Sequence, residues 1–126
     1  MKRLWIAAAI LLCMLLGTLA NSWYLNRLVS TLEQQLAAAH VLACQDSWDT
    51  ASRITQQAAQ RWQEHDFYVH IMLPHKDIDE IHLTFCEVQE YLELEETDQY
   101  TAANAKLIAQ LSLLAEMEQL NIKNVL

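Results

Sequence analysis

The chain has 126 residues, and only one of them is glycine and one is proline. This length suits one modest core and excludes two independent domains. A single glycine also excludes the Gly-rich phosphate loop and the nucleophile elbow of hydrolases. The formal charge is −8, and the acidic surface disfavours binding to nucleic acid and to anionic lipid surfaces. Abundant Ala, Leu, Gln and Glu favour helix, so the predicted fold class is all-α.

The chain begins with a basic pair and an uncharged apolar segment. Lys2 and Arg3 precede residues 4–20, and Trp23 and Tyr24 follow them. Counted to Tyr24, this segment would form a helix of roughly 31 Å, close to the thickness of the hydrocarbon layer. Basic residues beside a membrane helix stay on the cytoplasmic side. The pattern therefore predicts a single-pass plasma-membrane protein with a cytoplasmic N-terminus.

The predicted organisation has two parts. Residues 1–24 are a transmembrane signal anchor that contacts lipid through residues 4–24, and residues 25–126 are an extracytoplasmic acidic helical domain. A cleaved secretory signal is the alternative, because Thr18 and Ala20 are small residues near a candidate cleavage point. An amphipathic helix that continues straight out of the apolar segment favours the anchor.

The first two soluble helices are predicted from apolar residues at helical spacing. The first continues the membrane helix to about His40–Cys44. The second begins after an N-cap at Asp46 or Ser47 and runs toward Pro74. The inward residues of the first are Leu25, Leu28, Val29, Leu32, Leu36, Ala39 and Ala43, and those of the second are Trp48, Ala51, Thr55, Ala58 and Trp62.

Two more helices complete the prediction. The third runs from about His75 to Glu95, and the fourth begins after a cap at Thr97 or Asp98. Short connections make consecutive helices antiparallel, which predicts an antiparallel bundle of about four helices. The inward residues of the third are Ile78, Ile81, Phe85, Val88 and Leu92; those of the fourth are Tyr100, Ala103, Leu107, Leu114 and Met117, flanked by Leu111 and Leu120.

The third helix also carries a resemblance. The sequence HKDIDEIHLTFCEVQEYL at residues 75–92 resembles the central helix of a family of small bacterial membrane-anchored proteins, domain of unknown function 4363. The anchor, Trp48, Trp62 and the ending NIKNVL are similar as well, and Cys86 departs from the pattern. The resemblance covers nearly the whole chain and implies a plasma-membrane anchor. Its motifs are packing patterns, so it implies no catalytic residue, cofactor or ligand.

One cluster of residues has the chemistry of a metal site. His75, Asp79 and His82 are spaced at i, i+4 and i+7, which places them on one side of a continuous helix, with His70 as a further candidate ligand. Imidazole and carboxylate at this spacing could bind Zn²⁺ or a similar ion. A solvated helix face is the simpler interpretation, because the spacing matches no known signature.

Two pairs of residues are candidates for other roles. Cys44 and Cys86 would both be extracytoplasmic, where a disulfide can persist, although unpaired buried cysteines are common in helical cores. Trp48 and Trp62 are candidate partner contacts if either indole is exposed, and core residues otherwise.

These observations predict a non-catalytic protein-interaction module of the bacterial cell envelope. We expect its partner to be another membrane protein or a second copy of the chain. We expect no cofactor, no nucleic acid and no small-molecule substrate, because no motif for them is present. The alternative is an extracytoplasmic metal-ion-binding or sensing protein that uses the His/Asp cluster.

Overall fold

The structure, a computed structural model, describes residues 1–65 and 75–125, and for His75, Glu118 and residues 121–125 it describes the backbone alone. These residues form four helices and no strand: α1 (Lys2–Cys44), α2 (Trp48–Glu64), α3 (His75–Glu93) and α4 (Thr97–Val125). The all-α prediction is confirmed. The expected continuation of the second helix toward Pro74 lies outside the described residues.

The helices pack as an antiparallel bundle. Each packs against its neighbours in the chain, and α4 closes the bundle against α1. Tyr100, near the start of α4, lies beside His40, near the end of α1, and Asn104 reaches back to Leu36. These contacts fix α4 antiparallel to α1. The predicted bundle is thus confirmed.

Helix α1 changes character along its length without a break. From Met1 to Ala20 every side chain except Leu15 is exposed, whereas from Leu25 onward one stripe of the helix is buried in the core. Among the described residues, α1 is the one helix long and apolar enough to cross a membrane. An apolar face all round suits lipid, and an amphipathic face suits a bundle, so the sequence itself sets the boundary near residue 25.

The chain makes its two described tight turns without glycine. Asp46 follows α1 with φ 62°, and Glu95 follows α3 with φ 53°. The N–H of Ser47 donates to the carbonyl oxygen of Leu42 at 2.9 Å, and the N–H of Glu96 donates to that of Tyr91 at 3.1 Å. This left-handed ending closes the last turn of a helix and usually employs glycine. Ser47 is the N-cap residue of α2, as one of the two predicted alternatives had it, although its side chain makes no capping hydrogen bond.

The predicted core is confirmed on three helices and corrected on the fourth. All predicted inward residues of α1 and α3 are buried, and on α2 all but the half-buried Trp48. On α4, Leu111 is fully buried instead of flanking, and Met117 is 40 % exposed instead of inward. The helical spacing predicts a buried stripe that continues along α4 as far as Met117. The last buried residue of α4 is Ala115, so Met117 lies beyond the end of the core.

Candidate functional site

A groove of about 580 Å³ opens between α2 and α3. Its floor contains the buried rings of Trp62 and Phe85, and its rim carries acidic side chains of α3, Glu90 and Glu93. Glutamines dominate the remaining lining: Gln56, Gln60 and Gln63 from α2, and Gln89 from α3. His82 and Cys86 of α3 also line the groove. Amide side chains both donate and accept hydrogen bonds, so the glutamines suit the polar groups of a polypeptide.

The fully buried residues of α2 beside the groove are small. Ala51, Thr55 and Ala58 are each 0 % exposed and fill little volume. The Thr55 hydroxyl donates to the Ala51 carbonyl oxygen at 2.9 Å, so it needs no partner from α3. Trp48 and Trp62 contribute large side chains near the two ends of α2, and Ile54 packs against the core between them.

Gln89 leaves one hydrogen-bonding group unused in this groove. Its side-chain oxygen accepts a hydrogen bond from the Ser52 hydroxyl at 3.5 Å. Its amide nitrogen is buried and has no hydrogen-bond partner among the described residues. An unpaired buried donor costs about 1–3 kcal/mol.

The two tryptophans fall in different environments. Trp62 is 2 % exposed and belongs to the core, which is the alternative interpretation given above for a buried indole. Trp48 is half-buried at the other end of α2, with its ring edge against Tyr100 at a centroid distance of 6.1 Å. A direct contact of either indole with a partner stays a prediction, and Trp62 lines the groove.

Sequence reasoning missed a cluster at the far end of the bundle from the apolar segment. His40 lies 5.8 Å from Tyr100, measured between ring centroids, and its Nε2 is 3.7 Å from the Sγ of Cys44. Burial, and secondly the nearby Cys44, raises the pKa of Tyr100 to about 12. The spacing of His40 and Cys44 was visible in the sequence, but only the packing of α4 brings Tyr100 to them.

This cluster lacks the parts of a nucleophilic site. A catalytic thiol needs a base that a third group orients. The Nδ1 of His40 is buried and has no hydrogen-bond partner among the described residues, so no described group orients the imidazole. The arrangement packs an aromatic ring and a thiol against the end of the core.

The predicted disulfide and metal ligands are placed as follows. Cys44 and Cys86 are both free and exposed, on α1 and α3 respectively, so the disulfide stays a prediction. Asp79 and His82 are exposed on α3, while the side chain of His75 and all of His70 lie outside the described structure. No group of three or more His, Cys, Asp or Glu among the described residues could bind a metal ion. Metal binding also stays a prediction.

The end of the bundle next to the apolar segment holds an aromatic and basic group. The Tyr24 hydroxyl forms a hydrogen bond with the imidazole of His65, and the two rings meet edge to face at 5.3 Å. One turn away, the Arg27 guanidinium lies 5.2 Å from the centre of the Trp23 ring. These contacts link the end of α2 to α1 at the level where burial begins.

Comparison with known proteins places the chain in a family. A search of curated proteins and a search of solved structures found no match. The family model described as Domain of unknown function (DUF4363) matches residues 19–125, which is nearly the whole chain. The matched region starts within the apolar segment and contains α2, α3 and α4 completely. The chain therefore belongs to the DUF4363 family.

Proposed function

We propose that this chain is a non-catalytic protein-interaction module held to the bacterial plasma membrane by residues 4–24. The exposed apolar half of α1 supports the anchor, and Lys2 and Arg3 support a cytoplasmic N-terminus with the bundle outside. Because α1 is one unbroken helix, the anchor and the bundle share an axis. The bundle therefore stands on the membrane with its helices along the direction of the span.

The groove between α2 and α3 carries the interaction part of the proposal. It runs between two helices that lie along the bundle axis, so a helix rising from the same membrane could lie in it lengthwise. The exposed glutamines of α2 suit the polar groups of such a helix, and the rings of Trp62 and Phe85 suit its apolar ones. The partner is a neighbouring membrane protein or a second copy of the chain.

The metal-binding alternative ranks second because no observation on the described residues favours it. It would make the exposed Asp79 and His82 ligands, together with His75. Binding would require the three side chains to converge to within about 2 Å of one ion. An enzymatic role ranks below both, because the His40–Cys44 pair has no described orienting group.

Site-specific photocrosslinking in intact membranes tests the proposal. A photoreactive phenylalanine analogue replaces Gln56 in the groove or, as a control, Ala105 on α4; both positions are exposed. We expect illumination to yield one discrete heavier adduct from position 56 and none from position 105. Equal labelling at both positions, or none at either, would count against a partner in the groove.

The same purified full-length protein gives the second measurement. Its metal content, determined without added metal, should be well below one equivalent per chain. One bound equivalent that disappears when both His75 and His82 are replaced by Ala would instead make ion binding the leading function.

A further inference from the structure

Helix α4 is longer than the core that it helps to form. Its last buried residue is Ala115, but the helix continues to Val125. At 1.5 Å per residue, the remaining segment adds about 15 Å beyond the core. No described side chain in this segment is buried, so the bundle itself does not explain it.

The register between α4 and α1 locates this segment. Tyr100 pairs with His40 and Asn104 with Leu36, so four residues along α4 correspond to four residues back along α1. If this register continues toward the end of α4, Ala115 lies level with Leu25. Those two residues are the last buried residue of α4 and the first of α1, which confirms the register independently.

The same register carries α4 past the aromatic end of the proposed anchor. Met117 is level with Trp23, and Leu120 is level with Ala20, the last residue of the apolar segment. Val125 would then lie about 12 Å further along the anchor than Met117. Asn21 and Ser22 are half-buried, unlike nearly all the residues before them, so the bundle still flanks α1 at this level.

The surface of the segment suits lipid. Met117 and Leu120 are 40 % and 57 % exposed, and Met117 also lines a small cavity with Asp77 and Glu80 of α3. The charge also changes here. Glu118 is the last acidic residue of a strongly acidic domain, and Lys123 is the only charged side chain after it.

Resting on the proposed anchor, we propose that the end of α4, from Met117 onward, enters the outer leaflet of the bilayer that α1 crosses, with Met117 and Leu120 in its interfacial layer. Such a layer binds exposed apolar side chains through burial of their apolar area. The bundle is then attached at two points, α1 and the end of α4. This second contact restricts the tilt of the bundle relative to the membrane plane.

Lipid quenching of single-cysteine probes tests the inference on the full-length chain. Cys13, Cys44 and Cys86 are all exposed and are first replaced by Ser. An environment-sensitive fluorophore is then attached through Leu120→Cys, through Leu11→Cys in the anchor, or through Ala102→Cys. Each labelled protein is reconstituted into vesicles of phosphatidylcholine and phosphatidylglycerol, with and without a nitroxide on the acyl chain. All three positions are exposed, so the substitutions should leave the bundle folded.

We expect nitroxide lipid to reduce the emission of the Leu120 probe nearly as much as that of the Leu11 probe, and to leave the Ala102 probe unchanged. Quenching at Leu11 with none at Leu120 would overturn this inference and leave the anchor in place. A blue-shifted but unquenched Leu120 probe would also overturn it, because protein would then cover this position. No quenching at Leu11 would overturn the anchor and this inference together.

Discussion

The seam between α1 and α4 and the seam between α2 and α3 are built from different residues. In the α1–α4 seam, both helices contribute large side chains that are 0 % exposed, including Leu36 from α1 and Leu107 and Tyr100 from α4. On α2 the fully buried residues are small (Ala51, Thr55 and Ala58), and a groove lined by other residues of α2 and α3 opens alongside them.

This contrast separates the part of the bundle that stabilises the fold from the part that is free to bind. The α1–α4 seam buries large apolar side chains of both helices. The α2–α3 seam leaves amide groups facing an opening. Burial of apolar area is the main source of stability, so a partner could enter the second seam at little cost to the first.

Truncation of a large residue in the α1–α4 seam should have the largest effect. Leu107→Ala removes a fully buried side chain, and we expect it to lower the free energy of unfolding by about 2–5 kcal/mol. Leu94→Ala, at a residue 58 % exposed, should change it by less than about 0.5 kcal/mol. Urea unfolding of the full-length protein in detergent micelles, followed by circular dichroism, measures both. Similar values for the two variants would contradict the contrast between a buried leucine of the seam and an exposed leucine.

Alkaline pH should weaken the same seam through Tyr100. Its folded-state pKa is raised to about 12, so folding favours the protonated phenol. This contribution is fully present below about pH 10, the pKa of an unfolded tyrosine, and is lost between about pH 10 and pH 12 at up to about 1.4 kcal/mol per pH unit. Tyr100→Phe has no phenol to ionise, so its loss of stability over that interval should be smaller than that of the parent protein.

The control for this measurement is Tyr91→Phe, which removes a half-buried phenol of α3 and keeps Tyr100. Unfolding free energies of the three proteins are compared at pH 8 and at intervals up to pH 12. An identical alkaline loss in the parent protein and in Tyr100→Phe would show that this phenol does not ionise at the seam. At neutral pH, Tyr100→Phe should be at least as stable as the parent, because the Tyr100 hydroxyl is buried without a described partner.

Filling the α2–α3 groove should change the free energy of unfolding least, and should raise it instead of lowering it. Ala59 is half-buried and lines the groove, so Ala59→Leu can cover part of Trp62 and Phe85 without displacing the core. We expect the free energy of unfolding to rise by up to about 1 kcal/mol, roughly one buried methylene group. Ala109→Leu, on the exposed face of α4, is the matched control and should be near neutral. Clear destabilisation by Ala59→Leu alone would show that this seam is as tightly packed as the other.

The sequence predicted most of the helices and three of the four buried stripes, because those stripes keep helical spacing over many residues. The sequence-based prediction of buried residues failed on α4 because this helix is longer than the core. A periodic pattern does not reveal where a partner helix stops, so Met117 was placed in the core although the core ends at Ala115. The sequence does not predict the conformation of the two turns either, because Asp46 and Glu95 adopt the left-handed conformation that usually requires glycine.

The candidate site was less accessible to sequence reasoning than the fold. Trp62 was identified, but the glutamines around it look like ordinary solvated residues until α3 is packed opposite them. Whether Gln89 has a partner depends on Ser52, which is distant in the chain and adjacent only in the bundle.

The sequence by itself determined the helical class, the family and the boundary at which α1 passes from an all-apolar to an amphipathic helix. These follow from local composition and spacing, which need no knowledge of neighbouring helices. Tertiary structure alone decided which seam is closed and which is open, that Tyr100 meets His40 and Cys44, and that α4 continues to the level of Trp23. Each of these depends on the register between helices distant in the chain, and that register is set by packing.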